Sequence, residues 1–384
     1  MKKFMKVAAL VLVATLVLGC FTACGTKADN DDGGNNANTD AKKEIFIGAT
    51  GPLTGDASSY GISVKNGAEI AIAEINAAGG LNGITFKFEM KDDKAAAADA
   101  ATAYDALMDE GMQVSLGSVT SGSCEAFAGA AQEDNLFFIT PSASAAKVIS
   151  YGSNSFRVCF GDPDQGTLAA QKLVAKYKNI GCIYDTSDPY STGIYDAFKA
   201  EMDKSGTTFE VRTFDADNKK DFSAQVDALK DCDVIFLPIY YTEAGLIANA
   251  CASKGVTAAL FGCDGLDGVA EQIDKAVVTN DISYITPFDV NSTDAKVSAF
   301  VAKYEEKYGE KPDQFAADGY DAVYAIFEGM KAAGIDDANI SASDLSDALQ
   351  VAITAEGFVL KGLTGEMTWD ASGACTKVPV IVEL

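Results

Sequence analysis

Short apolar runs alternate with amphipathic helical patterns along the chain from Glu44 onwards. The helical stretches, such as AAAADAATAYDALMDE and TLAAQKLVAKY, repeat apolar residues at helical spacing. Near-continuous apolar strands separated by such helices are typical of parallel sheets covered on both faces. The pattern therefore predicts an α/β fold, and two sheets of about five strands fit the length better than one of about ten. The predicted strands are EIFIGA, ITFKFEM, QVSLGS, LFFITP, SFRVCF, IGCIYD, TFEVRTF, DVIFLPIY, AALFGC and ISYITPF.

Two serine-rich loops follow strands of the first half. Ligands of open α/β sheets bind beyond the carboxyl ends of the strands, so these loops are candidate binding segments. Ser121 lies in SVTSGSCEAF, and Ser142 and Ser144 lie in PSASAAK. Hydroxyls and backbone N–H groups at the start of a helix suit a carboxylate. Each serine taken singly is better explained as a helix N-cap, but two such loops on consecutive strands weaken that explanation.

The loops after strands of the second half add phenol groups and a carboxylate. Tyr190 lies in DTSDPYSTG, Tyr240 lies in IYYTE, and Asp264 directly follows a strand in FGCDGLDG. A buried carboxylate there can pair with an ammonium group. A helix-capping aspartate and tyrosines at the edge of the core are the alternatives. Hydroxyls and N–H donors on one side, with a carboxylate on the other, together favour a zwitterionic guest, an α-amino acid.

The loop GATGPLTGDASSYG, after the first strand, is rich in glycine, as phosphate-binding turns are. Its first glycines, Gly48, Gly51 and Gly55, match neither G-x-G-x-x-G nor the P-loop spacing. Pro52 removes a backbone donor, and the loop contains no Lys or Arg. The loop is therefore not predicted to bind phosphate.

The composition excludes several classes of function. The chain has 55 acidic and 30 basic residues, a net charge of -25, and no histidine. Such a negative charge disfavours nucleic acid as a partner. The lack of histidine excludes Ser-His-Asp and Cys-His catalysis and histidine-ligated zinc. The nine cysteines form no CxxC pair, and most are expected to be buried as small apolar side chains. No catalytic residue, cofactor or metal site is predicted.

The N-terminal residues 1–23 have the pattern of an export signal. MKKFMK is basic, and the apolar run VAALVLVATLVL is too short to span a bilayer comfortably. The cysteines of VLGC and FTAC resemble the acylated cysteine of a bacterial lipoprotein, and Cys24 is favoured over Cys20 because small residues flank it. An ordinary secretory signal is the alternative. Residues 24–43, rich in Gly, Asn and Asp, are predicted to be a flexible tether. The expected location is extracytoplasmic, lipid-anchored to the outer face of the cell membrane.

From Glu44 to Leu384 the sequence resembles the branched-chain amino acid type of extracellular solute-binding protein, a periplasmic binding protein of type I. The resemblance is carried by IGATGPLTGDASSYG, NAAGGLNG, VTSGSC, TPSAS, DTSDPYSTG, FGCDG and GYDAVYAI. It implies two Rossmann-like lobes joined by a three-crossing hinge. Lobe 1 would comprise 44–161 and 288–361, and lobe 2 would comprise 162–287 and 362–384. The crossings are expected at FGDPDQG, TPFD and LTGEM.

The resemblance also assigns roles to the candidate residues. Tyr60 matches the aromatic residue that packs on the ligand side chain, and the serines match contacts to the carboxylate and ammonium groups. Asp264 matches the acidic residue that pairs with the ammonium group, where the family often has Glu. The implied ligand-binding set is Tyr60, Ser121, Ser142, Ser144, Tyr190, Tyr240 and Asp264.

The function implied is that of a monomeric solute-binding lipoprotein, which closes on an amino acid and delivers it to an ABC permease. A ligand-sensing receptor module with the same fold is one alternative. An amide, urea or small peptide is an alternative ligand, but an uncharged ligand leaves Asp264 without a partner. Aliphatic side chains are the family default, while Tyr60, Tyr190 and Tyr240 suit an aromatic side chain equally.

Overall fold

Two sheets form the centre of the protein. The computed structural model describes residues 43–384, so the predicted signal peptide, most of the tether, Cys20 and Cys24 lie outside the described residues. The strands of the first sheet are β1 (Glu44–Gly51), β2 (Thr85–Asp92), β3 (Val114–Ser115), β4 (Phe138–Thr140) and β5 (Ser155–Arg157). Those of the second are β6 (Ile180–Asp185), β7 (Glu210–Phe214), β8 (Val234–Leu237), β9 (Ala259–Gly262), β10 (Ile282–Thr286) and β13 (Val380–Glu383). Between β10 and β13 in the chain, β11 (Leu360–Gly362) and β12 (Gly365–Met367) form a separate hairpin.

The strand orders are β2-β1-β3-β4-β5 and β13-β10-β9-β8-β6-β7. Every pair in the two sheets is parallel except β10 with β13. All ten predicted strands are present, and the predicted α/β fold is confirmed. In each sheet a strand with neighbours on both sides, such as β1 and β8, is almost wholly buried, which explains its continuous apolar sequence.

Ten helices cover the sheets within the described residues. The fifth has clear end signals in its sequence, since Asp188 caps the first turn by accepting from the Tyr190 N–H and Gly206 ends the helix at φ 69°. The helices are α1 (Ser58–Ala77), α2 (Ala97–Asp109), α3 (Ser121–Glu133), α4 (Asp162–Lys176), α5 (Pro189–Ser205), α6 (Ser223–Ala228), α7 (Tyr241–Lys254), α8 (Ala295–Tyr308), α9 (Gln314–Ala332) and α10 (Ala342–Ile353).

Helices α8, α9 and α10 follow β10 of the second sheet in the chain, yet they pack with the elements of the first. Helices α1 and α9 approach each other closely. A Cβ placed on Gly67 would lie 1.8 Å from the Ala316 carbonyl oxygen, and one on Gly319 would lie 2.4 Å from that of Val64. These glycines therefore let the two helix backbones touch. We call the first sheet with these helices the first lobe, and the second sheet with α4–α7 the second lobe.

The chain passes between the sheets after β5, after β10 and before β13. The expectation that the third crossing lies at LTGEM is wrong. Those residues form the turn of the β11–β12 hairpin, which is held to α9 because Asp321 accepts hydrogen bonds from the backbone of Leu363 and Thr364. Farther along, the Trp369 indole donates to the Arg157 carbonyl of β5. The crossing therefore follows this segment, and the other lobe boundaries stay a prediction.

Seven cysteines lie within residues 43–384, all as free thiols, and six of them are buried. This agrees with the expectation that most act as small apolar side chains. Among the same residues, no helix has the length and apolar character needed to cross a membrane.

Candidate functional site

The loops at the carboxyl ends of the strands of the two sheets meet around a small inner cavity. Its volume is about 10 Å³. Six of the seven candidate residues line it, namely Tyr60, Ser121, Ser142, Tyr190, Tyr240 and Asp264. The other lining residues are Val119, Thr120, Gly265 and Phe315. Residues more than 200 positions apart in the chain thus share one site, as the strand-end argument predicts.

The first-lobe wall of this cavity is formed by the two serine-rich loops. Ser121 begins α3 and accepts a hydrogen bond from the Ala145 N–H at 3.1 Å, while the Ser142 hydroxyl donates to the Val119 carbonyl at 2.8 Å. Thr120 occupies the N-cap position of α3 but makes no capping hydrogen bond. The alternative that Ser121 is an N-cap is therefore wrong, and the N-terminus of α3 is not closed off by a side chain.

The second-lobe wall carries the carboxylate. Asp264 accepts from the Tyr190 hydroxyl at 2.7 Å and from the Gly265 N–H at 2.9 Å, and its own N–H donates to Gln165. The rings of Tyr190 and Tyr240 stack with centroids 4.9 Å apart. Burial raises the pKa of Asp264 to about 6, because the loss of solvent outweighs the hydrogen bonds from Tyr190, Gln165 and Gly265.

Tyr60 joins the two walls. Its hydroxyl donates to the Gly265 carbonyl at 2.5 Å and accepts from the Tyr241 N–H at 3.0 Å, both in the second lobe. Gln314 at the start of α9 makes a similar contact from its side chain to the Asp264 carbonyl at 2.5 Å. These contacts hold the lobes together in a closed arrangement. A cavity of this volume suits a single water, so an amino acid can enter only after the walls move apart.

Ser144 is the one candidate that does not line the inner cavity. It is fully buried within the loop PSASAAK, where its carbonyl accepts a hydrogen bond from the Asp162 N–H at 3.0 Å. Asp162, Gln165 and Gln314 were not among the candidates. Asp162 and Gln165 lie in the FGDPDQG segment, and the polar run at that helix start is the only sequence signal for them.

A larger outer cavity of about 630 Å³ opens beyond Thr120 and Tyr240, between residues of both lobes. Lys219 of the second lobe lies at 3.2 Å from Asp56 of the first lobe and 3.3 Å from Glu243. Asp188 lies in the same cavity, and burial together with the nearby Asp185 raises its pKa to about 7. The entrance to the inner cavity is therefore lined by more carboxylates than cations.

No group of three or more His, Cys, Asp or Glu side chains is placed to hold a metal ion in the part of the chain that the structure describes. The site consists of hydroxyls, phenols and buried carboxylates between two lobes. It is a cleft suited to non-covalent binding of a small polar molecule.

A two-lobed cleft of this kind is typical of solute-binding proteins. The chain belongs to the periplasmic binding protein family, whose model matches residues 44–373. It is 31% identical over 336 residues to the Leu/Ile/Val-binding protein BraC3 of Rhizobium johnstonii, covering 85% of this chain and 90% of the relative.

Solved structures give the same result. The branched-chain amino acid transporter substrate-binding protein LivJ of Streptococcus pneumoniae, in complex with isoleucine, has a TM-score of 0.78 at 28% identity and covers 89% of this chain and 100% of its own. The leucine-binding protein LivK of Thermotoga maritima also has a TM-score of 0.78, at 25% identity, covering 88% and 94%. The fold is therefore that of type I periplasmic binding proteins. A Rhodopseudomonas palustris solute-binding protein in complex with benzoate has the same fold, with a TM-score of 0.78 at 22% identity, and it covers 89% of this chain and 93% of its own. The fold alone therefore does not identify the ligand.

Proposed function

We propose that this protein is the solute-binding component of an ABC importer and that its ligand is an α-amino acid, branched-chain or similar. The observation that carries the proposal is the buried carboxylate of Asp264 opposite the hydroxyls of Ser121 and Ser142. No Lys or Arg lies within ion-pair distance of Asp264 among residues 43–384. A ligand ammonium group supplies the missing charge, and the ligand carboxylate then faces the N-terminus of α3.

The named ligands of relatives support this choice of ligand class. One relative is a Leu/Ile/Val-binding protein, and a solved structure with the same fold contains isoleucine. A simple carboxylate such as benzoate has no ammonium group and leaves Asp264 unpaired, which is costly for a buried charge. An α-amino acid satisfies both walls at once.

Binding would work through opening and closing of the lobes. The contacts of Tyr60 and Gln314 stabilise the closed arrangement without a ligand, so opening exposes the polar walls and admits the amino acid. The ligand then favours the closed state by its higher affinity for it. The closed complex delivers its ligand to a membrane permease, and no covalent step is involved.

The protein would act outside the cytoplasm on a lipid anchor at Cys24, with Cys20 as the alternative site. Fractionation of cells that express the full chain tests this proposal. Cys24→Ala should move the protein from the membrane to the soluble fraction, while Cys20→Ala should leave it on the membrane. The reverse result assigns the anchor to Cys20, and release by neither variant refutes the lipid anchor.

A thermal-shift screen tests the ligand class. The purified mature protein is heated with each of the twenty amino acids, and with benzoate, urea and a dipeptide. A ligand present at ~100 times its Kd stabilises the fold by ~2.7 kcal/mol, which raises the melting temperature measurably. We expect a small set of related amino acids to do this. A shift with benzoate or urea alone, and with no amino acid, would refute the proposal.

A further inference from the structure

Two carboxylates, one from each lobe, lie at the N-terminus of α9. Asp267 follows β9 in the second lobe, and its Oδ2 accepts a hydrogen bond at 3.0 Å from the N–H of Gln314, the first residue of the helix. Asp313 is the N-cap residue of α9 in the first lobe, and its Oδ1 accepts from the Ala316 N–H at 2.9 Å. Because these two N–H groups belong to the first turn of one helix, the two carboxylates lie side by side.

Hydroxyl groups hold the other oxygen of each carboxylate. The Tyr284 hydroxyl of β10 donates to Asp267 Oδ1 at 3.0 Å, and the Ser63 hydroxyl of α1 donates to Asp313 Oδ2 at 2.7 Å. Tyr284 belongs to the second lobe and Ser63 to the first, so each carboxylate is held by its own lobe. Closure of the lobes therefore brings the two carboxylates together, and opening separates them.

The other titratable groups near the pair are mostly acidic. They are Asp264 and Glu271 in the second lobe, Tyr304 and Asp318 in the first, and Glu310 and Lys311 in the loop before α9. Lys311 donates to Asn291, and Lys377 pairs with Asp318. None of the ion pairs within residues 43–384 includes Asp267 or Asp313. The helix N-terminus offsets only part of their negative charge.

The two carboxyl groups do not ionise independently in this arrangement. Burial raises the pKa of Asp313 to about 8, and the negative charge of Asp267 adds to this, while hydrogen bonds from Ser63 and Ala316 oppose it. Burial also raises the pKa of Asp267, against hydrogen bonds from Gln314 and Tyr284. Two like charges this close disfavour each other, so the closed pair keeps one proton near neutral pH.

We propose that this pair makes the closure of the lobes depend on pH: the closed state holds one proton between Asp267 and Asp313, and ionisation of both carboxyl groups favours opening. The inference rests on the proposed opening and closing of the cleft and is independent of the identity of the ligand. In the open state each carboxyl group is solvated and returns towards its ordinary pKa of about 3.9.

The direction of the effect follows from the raised pKa of the closed state. Its contribution to closure is complete below the open-state value of about 3.9 and is lost as the pH rises through about 8. Between these values opening releases one proton, so the ratio of closed to open protein falls about tenfold for each pH unit. Above about pH 8 the ratio levels off, because the closed pair has also lost its proton.

X-ray scattering of the mature protein without ligand tests this dependence. The radius of gyration of the wild-type protein should rise between about pH 6.5 and about pH 8.5. Asp267→Asn and Asp313→Asn should each stay compact over this range, because asparagine still accepts the N–H at the helix start but carries no charge. Tyr60→Phe, which lacks two hydrogen bonds between the lobes, is measured as a second parent in which opening is easier.

Two control variants should keep the rise of the wild-type protein. Asp294→Asn changes the exposed N-cap residue of α8, which accepts from two N–H groups of that helix. Asp188→Asn removes a cleft carboxyl group whose pKa of about 7 lies in the same range. Loss of the rise in Asp188→Asn would assign the response to Asp188 and overturn the inference.

A radius of gyration that is independent of pH in both the wild-type protein and Tyr60→Phe overturns the inference. A rise that persists in both asparagine variants of the pair does so too, because the titrating group then lies elsewhere. If one of these two variants fails to fold, as judged by its melting curve, the other decides. No ligand is present in this experiment, so its failure leaves the proposed ligand class untouched. Failure of every amino acid in the thermal-shift screen, in turn, refutes the proposed function and leaves this inference standing.

Discussion

The affinity for an amino acid should fall as the pH is lowered below about 6, because only the ionised form of Asp264 pairs with an ammonium group. Burial raises the pKa of Asp264 to about 6 despite hydrogen bonds from Tyr190 and Gln165. A bound ammonium stabilises the carboxylate and lowers this pKa. Binding below about pH 6 therefore releases a proton, and the affinity depends on pH.

The size of the effect follows from the pKa. With one proton released per ligand, the affinity drops about tenfold for each pH unit below about 6, and about tenfold in all between pH 7 and pH 5, equivalent to ~1.4 kcal/mol. The sign is opposite for the stability of the ligand-free protein. A raised carboxyl pKa stabilises the fold fully below the unfolded value of about 3.9, and this contribution is lost as the pH rises through about 6.

Calorimetry in buffers of different ionisation enthalpy measures both the affinity and the protons released. Asp264→Asn should bind weakly at every pH and show no further fall between about pH 7 and pH 5. Asp188, whose pKa is about 7, also titrates near this range, so Asp188→Asn serves as a second variant that should retain the fall. A wild-type affinity that stays constant down to about pH 5 would contradict the role of Asp264.

Three further predictions concern the fold and its closure. Asp318→Ala removes the ion-pair partner of the fully buried Lys377, 2.9 Å away, and should lower the free energy of unfolding by ~3–5 kcal/mol in denaturant titrations. As a control, Glu366→Ala removes the partner of the exposed Lys361 and should change the free energy of unfolding by less than ~1 kcal/mol. Tyr60→Phe deletes two hydrogen bonds between the lobes, together worth ~2 kcal/mol, and should increase the radius of gyration of the ligand-free protein in X-ray scattering; an unchanged profile contradicts this. Gly67→Ala places a methyl group against the backbone of α9 and should lower the melting temperature, and a wild-type value would show that α1 and α9 can separate freely.

The parallel strands inside each sheet could be predicted because they are buried on both faces and read as apolar runs, whereas the edge strands β2 and β7 are only partly buried. β13 is not among the predicted strands although its sequence, VIVE, is apolar; it lies antiparallel at the sheet edge and is largely exposed. The LTGEM segment has one glycine, Gly365, in a turn pattern that suits a crossing and a hairpin equally. Only its contacts with Asp321, more than forty residues away, distinguish the two.

The candidate site residues could be placed near one another because carboxyl ends of parallel strands lie on one edge. Their pairing across the cleft could not be predicted in the same way. Asp162 and Gln165 belong to a helix start that has ordinary capping signals, and their importance depends on Asp264, 99 residues beyond Gln165. The closed arrangement held by Tyr60 likewise depends on contacts between the two lobes, so no local sequence pattern predicts it.

The ion pair between Lys219 of the second lobe and Asp56 of the first joins the lobes at the rim of the cleft, where the Lys219 side chain remains about one-third exposed. Contacts of this kind weaken as dissolved ions screen them, over a Debye length that shrinks from about 10 Å at 0.1 M to about 3 Å at 1 M. A protein that works outside the cytoplasm meets whatever salinity its surroundings impose. Solute capture should thus proceed more readily in brackish media than in dilute ones, since the resting molecule opens more often there.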